Sequence, residues 1–228
     1  MTGKRLLLMS AAAVANLAVL LAPCAALGWP QPHVVWSVVV FLLLATVGCL
    51  VDCCTSADTV LTPRAKSDQR HARLALATGI MLLLAYWSSQ CEALLRSSAP
   101  PLALSWLGTL AMLAGACLRG LAIHSLRSQF RTGIVVRGGA RLIESGVYGW
   151  LRHPSEAGLL LIAVGAAALL GSVVGLALTL GGLVPLVLWR LSLEEAELKA
   201  AWGPRYDNYR RRVPALLPRF TRRLCPAG

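Results

Sequence analysis

Long apolar runs dominate this chain and limit what it can fold into. Residues 6–29, 34–53, 74–91 and 102–124 are poor in charge and bounded by charged residues, prolines or both, and a run of double length covers residues 157–189. A helix needs about 20 apolar residues to cross roughly 30 Å of hydrocarbon. At ~1.5 Å per residue the double run would make a helix of roughly 50 Å, too long for one crossing. Gly171-Ser172 sits where that run would turn back on itself. With 57% hydrophobic and 14% charged residues and a mean hydropathy of +0.65, the chain has more apolar surface than one soluble core hides. The prediction is an all-α, polytopic transmembrane bundle of about six spans, the last two a helical hairpin.

The net charge of +12 raises nucleic acid as a partner, but the positions of the charges argue for a membrane. Lys4 and Arg5 precede the first run; Arg64, Lys66, Arg70 and Arg73 separate the second from the third; Arg127, Arg131, Arg137, Arg141 and Arg152 separate the fourth from the fifth. Lys199, Arg205, Arg210, Arg211, Arg212, Arg219, Arg222 and Arg223 follow the last run, and the alternate connections hold only Arg96. The positive-inside rule then places both termini in the cytoplasm, with a basic inner face suited to anionic lipid headgroups. Lys4-Arg5 followed by an apolar stretch and Ala22-Pro23-Cys24-Ala25-Ala26 also has the form of a secretory signal; an uncleaved first span is the preferred reading, and the orientation of later spans is the same either way.

The seven cysteines are Cys24, Cys49, Cys53, Cys54, Cys91, Cys117 and Cys225. Most lie in or beside apolar runs, where cysteine behaves as a small hydrophobic residue. Cys49, Asp52, Cys53 and Cys54 invite a metal, but no second ligand pair follows at the usual spacing, and a juxtamembrane cysteine pair also suits acylation. No metal is expected.

The chain divides functionally at about residue 126. Residues 1–126 read as a transmembrane scaffold of four spans rich in alanine, leucine, valine and glycine. Residues 127–228 hold a long basic segment, the hairpin and a polar tail in which Tyr206, Tyr209, Val213 and Leu216 recur at helical spacing. That pattern describes an interfacial amphipathic helix, either an anchor or a lid. Segments as long as residues 127–152 tend to carry function.

Two features bear chemistry. Arg190 and Glu194 lie four apart, on one helix face at the end of an apolar run, where ionisable groups are costly. Glu144-Ser145-Gly146-Val147-Tyr148-Gly149-Trp150-Leu151-Arg152-His153-Pro154-Ser155 places a turn, aromatics and a helix start just before the hairpin. Pro154 suits a first helical position, and the free N–H groups of a helix start attract an anion or a carboxylate.

These stretches, with Arg141-Leu142-Ile143 ahead of them, Glu195 after Glu194, then Trp202-Gly203-Pro204-Arg205-Tyr206-Asp207-Asn208-Tyr209 and Val213-Pro214, resemble in order and spacing the C-terminal half of the isoprenylcysteine carboxyl methyltransferase family, over roughly residues 129–218. The resemblance implies a bundle of transmembrane helices with S-adenosylmethionine in a cytoplasmic pocket capped by the C-terminal segment. It also implies a cofactor site at Ala140, Arg141, Leu142, Ile143, Tyr148, His153, Pro154, Ser155, Glu156 and Glu194, with Arg190 facing the substrate and Arg190 and Glu194 as the catalytic pair. The implied acceptor is the carboxylate of a lipid-modified cysteine, entering from the bilayer.

An ionised carboxylate needs no general base to attack a sulfonium methyl group; it needs alignment and a dry pocket. Arg190 suits a bidentate contact to such an acceptor. One residue departs from the pattern: Glu156 stands where the family commonly has an aromatic. It suits a helix start, a cofactor contact, or a base for an acceptor that must lose a proton. Alternatives for the whole chain are methylation of phospholipid amines or thiols, an NADPH-dependent membrane reductase using Arg127, Arg131 and Arg137 for phosphate, and a membrane scaffold without turnover.

Overall fold

The computed structural model describes residues 3–56, 66–126 and 142–218. Among them there is helix and no strand. The elements are α1 (Gly3–Leu27), α2 (Val35–Ser56), α3 (Lys66–Leu95), α4 (Leu102–Leu126), a 3-10 turn (Gly146–Gly149), α5 (Pro154–Leu169), α6 (Val173–Leu178), a π turn (Thr179–Leu183), α7 (Val184–Trp202) and α8 (Pro204–Arg212).

The expected hairpin forms. α5 ends at Leu169, Gly171 adopts φ +64°, and Ser172 accepts from the Gly175 N–H to start α6. A positive φ strains any residue with a Cβ, so glycine suits this corner. Arg96, the lone basic residue expected on its side, has a structural task here. It pairs with Glu92 at 3.0 Å and donates to the Gly171 carbonyl, while Glu92 accepts from Ser172 Oγ at 2.7 Å and from the Val174 N–H at 3.0 Å. A carboxylate on the first N–H groups of α6 favours that helix end.

Beyond the corner, α6 and α7 run as one rod through the π turn. Pro185 has no N–H to give the Gly181 carbonyl and its ring crowds it, and a wider turn relieves both faults.

α4 and α5 pack antiparallel and closest of all. A Cβ on Gly158 of α5 would lie 2.6 Å from the Gly115 carbonyl oxygen of α4, and one on Gly165 would lie 2.8 Å from that of Gly108. Glycines two turns apart on both helices thus let the backbones touch, the usual means of tight packing where lipid removes the hydrophobic drive. One further turn along the seam, Arg119 of α4 meets Ser155 at the start of α5. The packing therefore sets the register of the site.

Around that seam Leu20, Phe41, Tyr86, Met112, Ile162 and Leu169 form the main apolar core. The outer faces stay apolar: Leu102, Leu107 and Val173 are 70%, 63% and 72% exposed. Such faces require lipid. Residues 70–95, 102–126 and 173–202 are each long and apolar enough to cross a membrane, and Val14–Leu27, Val35–Val47 and Pro154–Leu169 are shorter apolar helices.

Candidate active site

The site is built where α5 begins and α7 leaves the bundle. Tyr148 sits in the 3-10 turn and is buried, and its carbonyl accepts from the Tyr209 hydroxyl at 2.7 Å. Past that turn the chain is clamped by the tail: the Arg152 and His153 N–H groups donate to the Pro214 and Ala215 carbonyls at 2.9 and 3.0 Å. His153 is thereby presented at the N-cap of α5, which has no side-chain cap, and Pro154 takes the first helical position as expected.

Two layers of charge meet at this point. In the inner layer Arg190 Nε lies 3.0 Å from Glu194 Oε1, one turn along α7, and Arg190 Nη2 lies 3.5 Å from Glu156 Oε1 on α5. His153 Nδ1 faces Glu194 Oε2 at 3.9 Å. In the outer layer Glu195 accepts from Arg152, lies 3.3 Å from His153 Nε2 and 3.6 Å from Arg210 Nε of α8. One imidazole therefore bridges the layers, its hydrogen-bonding side toward Glu195. The inner side chains are 10 to 14% exposed, so their pairing acts in a setting with little water to weaken it.

Glu156 departs from a simple helix-start role. It is 7% exposed, its Oε2 is buried without a hydrogen-bond partner among the described residues, and its other oxygen turns to Arg190. Ser155 receives Arg119, through its hydroxyl at 2.8 Å and its carbonyl at 3.2 Å. Burial first, then the negative character of Tyr209, Glu156 and Glu194, pushes the Tyr148 phenol well above the usual tyrosine range. It stays a neutral hydroxyl.

The tail helix α8 turns its apolar side to the protein. Tyr206, Tyr209 and Val213 are buried together against Leu142, Leu198 and Trp202. Arg205 and Arg212 pair with Glu144 at 3.3 and 2.6 Å, pinning α8 across the strand of chain leading into the turn.

Of the residues singled out in the sequence, Tyr148, His153, Pro154, Ser155, Glu156, Arg190 and Glu194 gather here. Leu142 lies on the tail side in the α8 cluster, with Ile143 next to it and half-buried. Ala140 and Arg141 lie outside the described residues, as do Arg127, Arg131 and Arg137 and the side chains of Cys49, Asp52, Cys53 and Cys54. Residues not assigned to the site from the sequence also enter: Arg119, Glu195 and Arg210. Arg119 is a charge inside an apolar run, a signal open to sequence reasoning; the other two are placed by tertiary contacts. His71 of α3 meets Glu197 of α7 at 2.6 Å nearby. An apolar cavity of about 330 Å³ between α1, α2 and α3, lined by Asn16, Leu20, Ala45, Leu82 and Tyr86, holds none of these charges.

Fold and site define an integral membrane protein whose helical hairpin supports a buried ionic site beneath a C-terminal helix. Residues 106–200 match the model of the Isoprenylcysteine carboxyl methyltransferase (ICMT) family, the family that the sequence motifs resemble. The chain is 38% identical over 82 residues to a protein-S-isoprenylcysteine O-methyltransferase of Schizosaccharomyces pombe, covering 34% of this chain and 33% of that one. It is 31% identical over 125 residues to the protein-S-isoprenylcysteine O-methyltransferase of Rattus norvegicus, covering 50% of this chain and 42% of the relative. The chain thus spans less than half the length of these two relatives. The solved structure of a eukaryotic intramembrane Ras methyltransferase ICMT without a monobody superposes with a TM-score of 0.55 at 18% identity, covering 88% of this chain and 72% of that one. That likeness extends the shared fold beyond the matched segment.

Proposed function

We propose that this chain is an integral membrane methyltransferase that uses S-adenosylmethionine and methylates the carboxylate of a lipophilic, isoprenylcysteine-like acceptor. The observation that carries the reading is Arg190, held by Glu194 and Glu156, with Glu194 in turn facing His153 at the start of α5. The isoprenylcysteine O-methyltransferase activity for which the relatives are named supports it.

The residues present fit the donor. Its cationic sulfonium suits the carboxylates of Glu194 and Glu156, the second of which has a buried oxygen without a hydrogen-bond partner among the described residues. The donor's own carboxylate suits the first turn of α5, whose N–H groups no capping side chain claims. Tyr148 offers a neutral hydroxyl, and His153, Pro154 and Ser155 form the wall; Ala140, Arg141, Leu142 and Ile143 complete it on the family pattern. Bound there, S-adenosylmethionine supplies a methyl group on a sulfonium that yields to an attacking oxygen while sulfur keeps the bonding pair.

The chain's own work is positional. Arg190 anchors the acceptor carboxylate and Glu194 orients the guanidinium through Nε, leaving the outer nitrogens, of which Nη2 faces Glu156, to meet the acceptor. The outer layer around Glu195 locks His153 in place, and α8 covers the site against water. Orientation and desolvation of this kind supply most of the rate when no proton must move. The excess of Lys and Arg on the site side supports a cytoplasmic pocket and cytoplasmic termini.

The test is transfer of isotopically labelled methyl from S-adenosylmethionine to an amine-blocked S-prenylcysteine by protein purified in detergent. The reading requires a product whose label is released as methanol by mild base, the mark of a methyl ester. Base-stable label identifies a different acceptor atom, and no transfer to any prenylated carboxylate contradicts the proposal.

A further inference from the structure

Among the described residues Glu156 gives the inner layer two carboxylates against one guanidinium. Arg190 contributes one cation, and Glu194 and Glu156 at 3.0 and 3.5 Å contribute two carboxylates. The groups facing Glu156 are Arg190 and Glu194 from α7, Tyr148 from the 3-10 turn and His153 ahead of α5, with Arg119 of α4 on the adjoining Ser155. Of the two carboxylates Glu156 holds Arg190 more loosely, beyond the usual hydrogen-bond length. Its second oxygen has no hydrogen-bond partner among the described residues, a costly state for a buried carboxylate.

An acceptor carboxylate that reaches Arg190 brings a third negative charge to this cluster. Carboxylates that share one dry site cannot all stay ionised, and one of them holds a proton. Glu156 is the member with an oxygen free to carry it. Protonated, it gives up its competition for Arg190 and gains an O–H that the arriving carboxylate accepts.

We propose that Glu156 takes up a proton when the acceptor carboxylate binds, making acceptor binding proton-linked and Glu156 the positioning residue that releases Arg190. The inference rests on the carboxylate reading above. No proton is consumed overall, since it leaves again when the neutral ester departs and Glu156 returns to Arg190.

Calorimetric titration of an amine-blocked S-prenylcysteine into protein saturated with S-adenosylhomocysteine, repeated in buffers of different ionisation enthalpy, counts the protons directly. About one proton taken up per acceptor is expected near neutral pH, with affinity falling by about tenfold per pH unit on the alkaline side. Glu156→Gln, which mimics the protonated acid, should abolish the uptake and flatten the pH profile. Binding to the wild type without proton uptake overturns the inference and leaves the carboxylate reading standing. So does uptake that persists in Glu156→Gln. No acceptor binding at all overturns both. Where Glu156→Gln fails to fold, Glu156→Met makes the same comparison, and a wild-type count of zero overturns the inference without either variant.

Discussion

Tyr209 donates its hydroxyl to the Tyr148 carbonyl at 2.7 Å, fastening α8 to the turn that leads into α5. Both rings are buried, so this bond is made where water cannot replace it. Tyr209→Phe keeps the ring and removes the bond, leaving a buried carbonyl unpaired. A loss of about 1 to 2 kcal/mol is expected, read as a lower thermal midpoint and as weaker S-adenosylhomocysteine binding, with the binding loss larger than that of the exposed control Arg211→Ala.

Arg190→Lys keeps the charge but not the fork. Lysine cannot hold Glu194 through one nitrogen while offering two more to an acceptor. Methyl transfer to a prenylcysteine should fall by about a hundredfold in kcat/KM, an amount equal to roughly 2.7 kcal/mol of lost transition-state stabilisation. Donor binding, measured separately, should change little.

The seam between α4 and α5 predicts the effect of Gly158→Leu. Its Cβ would lie 2.6 Å from the Gly115 carbonyl oxygen, and backbone on both sides leaves no flexible neighbour to give way. Overpacking of this kind costs about 1 to 3 kcal/mol or more. Because the seam sets where Arg119 meets Ser155, both the melting temperature and donor binding should fall. Gly120→Leu, with open space around it, is the matched control.

How much of this was legible beforehand depends on how local the cause is. The hairpin was, because a run too long for one crossing has to turn, and Gly171 sits at the corner. Arg190 with Glu194 was too, since helical spacing alone pairs them. The outer layer was not: Glu195 stands beside Glu194 in the motif, yet its partners Arg152, His153 and Arg210 come from three other segments. The spacing of Tyr206, Tyr209, Val213 and Leu216 suggests one apolar helical face, but α8 ends at Arg212 with Val213 as its extended C-cap, Leu216 packs beside Val187 and Leu191 instead, and only the packed chain shows Tyr206, Tyr209 and Val213 against Leu142, Leu198 and Trp202.

Two of the glutamates outside the inner layer, Glu195 and Glu144, should respond very differently to substitution. Glu195→Ala leaves Arg152, 10% exposed, with its main counter-charge gone, and uncompensated buried charge costs about 3 to 5 kcal/mol. Glu144→Ala breaks pairs to Arg205 and Arg212, which are 62% and 56% exposed, and should cost no more than about 1 kcal/mol, lessening with salt. Thermal unfolding in detergent at low and high salt separates the two.

The measurement closest to the central claim is calorimetric binding of S-adenosylhomocysteine to the detergent-purified chain, with Glu194→Ala and His153→Ala beside the wild type. The account predicts one saturable site in the wild type, weakened by both substitutions, because both residues belong to the inner layer at the start of α5. A folded wild type that does not bind, or that binds equally well after both substitutions, contradicts it.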